Sequence, residues 1–556
     1  LSNKHYNMKK YFLLLFISFS IYSQNYKITF LKSSNNKLIE NQEPVLVFAN
    51  SNESIITNQK ILDQKADYPY EISYFNGNVE NQFYNIAQLN VNQNIITIDS
   101  VSLKKQSFEF INESKKILGY KCKKAKTIIN SNTIEIWYTN DLKIDASPSV
   151  LGKNLGLVLE INRNGTYLIA ATKIEKVTKF PKINTSQEPI DQLSYKDLLW
   201  KSRFTTIAVF KDEIINFSDK SKSNDSILRF ANGTIALRKI QFPEIKKGSQ
   251  IFIDLQEQSN GDAYDRTGSV FVIPMEKEKS FIEGLEKGKE KLPIFDNGNG
   301  KTYQGVVATA NYLPPLELMR FFTPFGIKQY NYIELKDKNW HDIVSYRQDI
   351  SDLRLALSNK EVFIGTFIGN YDNGGHKISM NLTIHPEEES QLNKENIILP
   401  LFNTVNVMEM AGQEYGTMFN STKGLTVEFT LDNEIKNARL RYITTGHGGW
   451  ENGDEFVPKL NTITLDGNSI YSFTPWRQDC GSYRLYNPAS GNFSNGLSSS
   501  DYSRSNWCPG MATNPVYIDL GYLKKGKHSI QITIPQGEPE GNSFSAWNVS
   551  GVLLGE

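Results

Sequence analysis

The run Gly261-Asp262-Ala263-Tyr264-Asp265-Arg266-Thr267-Gly268 places two acids, an aromatic and an arginine in five positions, between the apolar runs Ile251-Phe252-Ile253 and Val270-Phe271-Val272-Ile273. The flanks predict two strands with the charged groups on the turn that joins them. Taken alone, a turn of Asp and Gly is an ordinary solvated turn, because both residues accept turn dihedrals. Two later runs shift the balance: Gly446-His447-Gly448-Gly449-Trp450-Glu451-Asn452-Gly453-Asp454-Glu455-Phe456 and Tyr502-Ser503-Arg504-Ser505-Asn506-Trp507-Cys508-Pro509-Gly510-Met511. Carboxylates, arginines and tryptophans recur together in these loops. Aromatic faces suit pyranose rings, and charged groups suit hydroxyls and acid–base work, so the three runs point to a site that handles sugar.

Other chemistries find less support. The histidines, His5, His341, His376, His385, His447 and His528, are scattered with no two at metal-ligand spacing, so neither a metal nor another cofactor is expected. Ser498-Ser499-Ser500 lacks the Gly-x-Ser-x-Gly setting of a serine nucleophile. A formal net charge of +1 gives no electrostatic reason to expect nucleic acid. Trp450, Trp476 and Trp547 are expected to fill core. His447 either lines the cleft or is a turn histidine bonded to backbone.

From about Thr205 onward the chain resembles the peptide-N-glycosidase F family. The resemblance rests on Asp262 to Arg266, on Arg320-Phe321-Phe322-Thr323-Pro324-Phe325-Gly326, on the Glu455 loop before Asn461-Thr462-Ile463-Thr464-Leu465, and on Arg504 to Met511. It implies two jelly rolls packed side by side, with the site in the groove between them. The implied activity is amide hydrolysis between asparagine and the first N-acetylglucosamine of an N-linked glycoprotein. Asp265 falls on the family's primary catalytic carboxylate and is assigned acid–base work; Glu455 falls on its second-domain glutamate and is assigned binding and polarisation of substrate. Arg266 and Arg504 fall on arginines that line the cleft, and Trp507 on a tryptophan. Tyr264, Asp262, His447 and Phe367 complete the expected substrate-contact set. An endoglycosidase cutting between the two core sugars, and a glycan-binding protein without activity, remain alternatives.

One departure stands out. Where the family prototype has a glutamate and a tryptophan, this chain reads Ile364-Gly365-Thr366-Phe367, and Asp262, Glu451 and Asp454 are the candidates to replace the lost carboxylate. Of the three cysteines, Cys480 and Cys508 match a disulfide of the family and flank a loop rich in Ser, Asn and Gly. Closing it stabilises by roughly 3 kcal/mol in the chain-entropy model. Cys122 is left as a buried thiol on a strand.

The elements that must position these groups are β-strands throughout. Aromatics at 12%, with abundant Gly, Asn and Ser, favour many short strands joined by turns. Residues 1–24 read as an export signal: Met8-Lys9-Lys10, then an apolar stretch at 11–22, with residues 1–7 upstream of the natural start. That stretch is too short to span a bilayer, which takes about 20 residues, so a secreted or periplasmic monomer without membrane insertion is expected. Residues 25–177 form a separate, mostly antiparallel β domain resembling the GLPGLI family through Gly119-Tyr120-Lys121-Cys122-Lys123-Lys124-Ala125 and its neighbouring strands. A polar linker at 178–203, with a short helix near 195–201, precedes the jelly rolls at 204–386 and 387–556. Ile378, Met380, Leu382 and Ile384 alternate with polar residues, and the acidic run at 385–396 reads as a solvated hinge.

Overall fold

The computed structural model describes residues 24–77, 82–326, 334–386, 395–488 and 498–556. The expected export signal, and most of the expected acidic hinge, lie outside the described residues. The chain divides into two compact units, Leu1–Arg203 and Phe204–Glu556.

The first unit is one antiparallel sheet assembled from two meanders. Its first strand, Asn25–Ser34, pairs with its last, Tyr167–Val177, so chain ends meet at the middle of the sheet. Alternation drives this: Tyr26, Ile28 and Phe30 point inward and join Val47, Trp137, Leu157 and Leu159 in the core. Cys122 is free and fully buried there, and burial pushes its thiol up, which leaves it unreactive. The expected linker is packed over much of its length. Ile190 bridges Thr97, and the helix Gln192–Lys201, capped by Asp191, buries Tyr195 and Leu199 against Ala87, Leu89 and Ile95.

The second unit holds two sandwiches. In the first, a four-stranded sheet containing Gln250–Ser259 and His376–His385 faces a six-stranded sheet containing Thr267–Ile273, Leu316–Phe322 and Glu361–Ile368. Ile378, Met380, Leu382 and Ile384 all enter the core between them, as their period-2 spacing predicts. Each such side chain contributes about 1.5–3 kcal/mol by leaving water. The second sandwich pairs the sheet of Ile397–Asn403, Ala546–Gly555, Ile435–His447 and Val516–Leu523 with that of Leu425–Leu431, Gly526–Thr533, Asn461–Leu465 and Asn468–Phe473.

Three strands weld the sandwiches together. Leu316–Phe322 is buried at every position, and Ala546–Gly555 at all but one. Val552 and Leu554, from the second sandwich, pack into the core of the first. Ala512–Thr513 adds a short strand to the first sandwich's sheet. Polar groups of the two sandwiches meet across this seam. Glu317 pairs with Arg320 at 2.7 Å and accepts from Ser269 and Ser550, while Arg320 donates to Thr445 and to the Asn548 carbonyl. Arg441 donates to the carbonyls of Glu317 and Leu318 at 3.0 Å each. A polar network buried this fully fixes how the two sandwiches dock.

Candidate active site

The loop after Gln250–Ser259 carries Asp262, Tyr264, Asp265 and Arg266, and the Phe-Phe-Thr-Pro-Phe-Gly run clasps it. Arg266 N donates to Thr323 Oγ1 at 2.8 Å, Thr323 Oγ1 donates to the Tyr264 carbonyl at 3.1 Å, and Gly326 N donates to the Ala263 carbonyl at 2.5 Å. Two motifs far apart in sequence are therefore one structural piece. Inside the loop, Asp262 Oδ1 accepts from Tyr264 N at 3.1 Å and the carboxylate grips Arg266 at 2.7 and 3.2 Å.

Across the seam, the loop 446–455 turns on Gly448 and Gly449, at φ +74° and +80°. A side chain on Gly448 would strike the Phe544 carbonyl at 2.3 Å, so this turn requires glycine. The turn brings Glu455 back so that Gly448 N donates to its Oε2 at 3.3 Å. Ser505 N donates to the Glu455 carbonyl, which ties this loop to the Arg504 segment. Arg504 then joins both jelly rolls: one Nη1 reaches Asp265 Oδ2 at 3.1 Å and Oε1 of Glu455, and Nη2 donates to the Ser499 carbonyl at 2.6 Å. The arginine is 1% exposed, Asp265 14% and Glu455 19%, so the cation is buried beneath two carboxylates that reach solvent.

Electrostatics differ along the loop. Burial pushes the Asp265 carboxyl up, Arg504 pulls it back and Glu455 adds to the rise, for a value of about 7. At neutral pH that group can both give and take a proton. Burial also acts on Asp262, but His376 and Arg266 hold it down to about 2. His376 is itself fully buried, with Nδ1 2.8 Å from Glu257 and Nε2 3.5 Å from Asp262. Burial disfavours its charge, yet the two carboxylates raise it to about 9.

Several expected substrate contacts have other work. Trp507 is 3% exposed; its Nε1 donates to the Gly446 carbonyl, its ring stacks on Phe322 at 4.4 Å, and the Arg504 guanidinium lies 4.3 Å over it. It supports the arginine and presents no open face to sugar. Phe367 is 2% exposed in a core with Leu237 and Phe271, so it too is withdrawn from the cleft. The expected gap at Gly365 has the same cause: a Cβ there would meet Leu237 at 2.3 Å and Phe271 at 2.8 Å, beneath the sheet. Asp262 is engaged by Arg266 and His376, and Asp454 accepts from Trp547 Nε1 and Gly537 N, so neither replaces a cleft carboxylate. His447 bonds the Thr445 hydroxyl rather than backbone, at 2.8 Å; burial, with Arg320 and Arg504 nearby, lowers it to about 3 and keeps it neutral. Tyr264, 58% exposed, and Arg266 remain open to the cleft. Trp547 fills core as expected, whereas Trp450 is 65% exposed. Cys480 and Cys508 form the disulfide that anchors the Arg504 segment. Sequence reasoning missed Glu257 and His376, and it missed Tyr371 and Glu409, which no motif announces.

Two jelly rolls with an acid–arginine–acid cluster in their seam make a paired-sandwich protein that carries the groups acid–base hydrolysis needs. Comparisons with known proteins agree. Family models match at residues 206–384 (Peptide-N-glycosidase F, N terminal), 414–554 (Peptide-N-glycosidase F, C terminal) and 28–197 (N-glycanase peptide, N-terminal domain). Among solved structures, PNGF-II in two crystal forms is 57% identical, covers 96% of this chain and 98% or 99% of its own, and superposes with TM-scores of 0.89 and 0.90. PNGase F, a glycosylasparaginase from Flavobacterium meningosepticum, is 16% identical over 64% of this chain and 96% of its own, with a TM-score of 0.42. Comparison with curated proteins gives no significant match. The chain belongs to the peptide-N-glycosidase F family and is a hydrolase of a glycoprotein amide bond.

Proposed function

We propose that this protein is an exported amidase that hydrolyses the bond between an asparagine side chain and the first N-acetylglucosamine of an N-linked glycan. The observation that carries the reading is Arg504 bridging Asp265 and Glu455 across the seam, within a chain of this family. Water adds to the side-chain carbonyl carbon, the C–N bond breaks, and the nitrogen leaves with the glycan as a glycosylamine while aspartate remains. Asp265, poised near neutrality, moves the proton between the attacking water and the departing nitrogen. Glu455 orients the substrate, and Arg504 and Arg266 supply positive charge for the oxygen that becomes negative. Tyr264 offers an open aromatic face beside them. Among the described residues no helix is long and apolar enough to cross a membrane.

Mass spectrometry of a defined N-glycopeptide tests the reaction. The parent protein should convert the glycosylated asparagine to aspartate, and Asp265→Asn should not. A product retaining one N-acetylglucosamine would replace the amidase with an endoglycosidase, and an unchanged glycopeptide would leave only binding.

A further inference from the structure

In the first unit, the hairpin of Glu109–Ile117 and Tyr120–Ile129 carries the Gly-Tyr-Lys-Cys-Lys-Lys-Ala run, which the proposed reaction leaves unused. Ile117 pairs with Tyr120, so the turn consists of Leu118 and Gly119 alone. Both have positive φ, +48° and +87°, as a two-residue turn between twisted antiparallel strands requires. Glycine takes that conformation freely, and asparagine or aspartate takes it at small cost. Leucine has no such relief, yet it occupies the first position and is 44% exposed. The fold gains little from a leucine there, and a residue held in a sparsely populated conformation points to a use outside the fold.

Lysines surround this tip. Lys116 stands directly opposite Lys121 in the ladder, and Lys123, two positions on, shares its face. Like charges placed opposite each other destabilise a strand pair. Neighbouring lysines are neutralised: Lys115 pairs with Glu160 at 2.8 Å, and Lys124 with Glu135 at 2.9 Å and Glu113 at 3.2 Å. Lys116, Lys121 and Lys123 are exposed, and their ammonium groups meet no acid among the described residues. The acid at the tip, Asp141, takes the backbone N–H of Lys121 at 3.0 Å. Glu109–Ile117 is the last strand of its sheet, and Phe110, opposite Ala125 on the face of Lys121 and Lys123, is 67% exposed. A soluble polyanion would relieve the lysines and gain nothing from the leucine or the phenylalanine. An anionic bilayer surface takes both kinds of group: its phosphates meet the lysines, and the apolar side chains enter the boundary of the acyl chains.

We propose that this hairpin is a reversible anchor for an anionic lipid surface, with Leu118 entering the bilayer interface and Lys116, Lys121 and Lys123 on the lipid phosphates. The contact needs no spanning segment and does not depend on the reaction proposed above. Co-sedimentation of the full chain with vesicles of equimolar phosphatidylglycerol and phosphatidylcholine measures it, beside vesicles of phosphatidylcholine alone and beads carrying dextran sulfate. The chain should bind the anionic vesicles and come off as salt rises. Leu118→Asn should weaken binding about three- to five-fold, and Lys116→Ala combined with Lys121→Ala about ten- to thirty-fold. Both variants should melt at or above the parent's temperature, because Asn-Gly suits the turn and the opposed charges are gone. A loss of binding in them is then a loss of the contact and not of the fold. No binding to the anionic vesicles, or equal binding to phosphatidylcholine alone, would overturn the anchor. So would unchanged vesicle binding in Leu118→Asn together with equally tight binding to dextran sulfate, which would make the lysines a site for a soluble polyanion.

Discussion

Asp262 and Asp265 stand on one loop, share Arg266 as a neighbour and are driven in opposite directions, one to about 2 and the other to about 7. Asp262 belongs to a buried chain of alternating charge, Glu257, His376, Asp262 and Arg266, in which each acid meets a base. Asp265 belongs to a centre where two acids share one arginine nitrogen. Burial raises both, but at Asp262 two bases, His376 and Arg266, overcome it, whereas at Asp265 the second acid, Glu455, adds to it. The balanced chain holds the loop still, and the unbalanced centre keeps a proton within reach.

Breaking the unbalanced centre should have the largest effect. Asp265→Asn should lower kcat about 10²–10⁴-fold, the usual worth of a positioned acid–base group, with circular dichroism unchanged. Its stability should also respond less to pH. In the parent, the folded carboxyl lies above its ordinary value of 3.8, so the folded state binds the extra proton and stability falls as pH rises towards about 7. Thermal melts from pH 4 to 8 should show that slope in the parent and a flatter line in the variant. Breaking the balanced chain should act first on the fold: Asp262→Asn strands Arg266 and His376 and should cost about 3–5 kcal/mol in denaturant titration. His376→Gln sharpens the contrast, because the histidine's contribution is fully present below its ordinary 6.5 and is lost as pH rises through about 9. Alkaline destabilisation in that range should disappear from the variant. The smallest effect concerns a buried ion whose hydrogen bond runs to a carbonyl, that of Asp145, and whose burial outweighs the pull of the Asp145 charge. Lys153, 2% exposed over the Phe75 ring, is lowered by burial to about 8, and Lys153→Met should stabilise the first unit by about 2 kcal/mol at pH 7 without changing activity.

Much of this could be read from the chain, and the misreadings have a common physical origin. Ile378 to Ile384 declared their face because alternation has one period and one meaning. Asp265, Glu455 and Arg504 were legible because each lies in a compact run whose residue types have few other uses. Phe367 and Trp507 were misplaced because an aromatic suits a core as well as a sugar, and only strand register decides which side it faces. His376 looked isolated since its acid partner Glu257 is 119 positions away, and sheet pairing, invisible in spacing, brings the two together. Tyr371 and Glu409 come from two unrelated loops that only the docking of the sandwiches joins.

Val552 and Leu554, on strand Ala546–Gly555 of the second sandwich, are part of the first sandwich's core. During synthesis that sandwich therefore waits, incompletely packed, until this strand has left the ribosome. A truncation after residue 545 would remove strand Ala546–Gly555 from one sandwich and the packing of Val552 and Leu554 from the other, so both would fail together. Neither jelly roll is an independent module that evolution or an engineer could exchange without carrying along that strand.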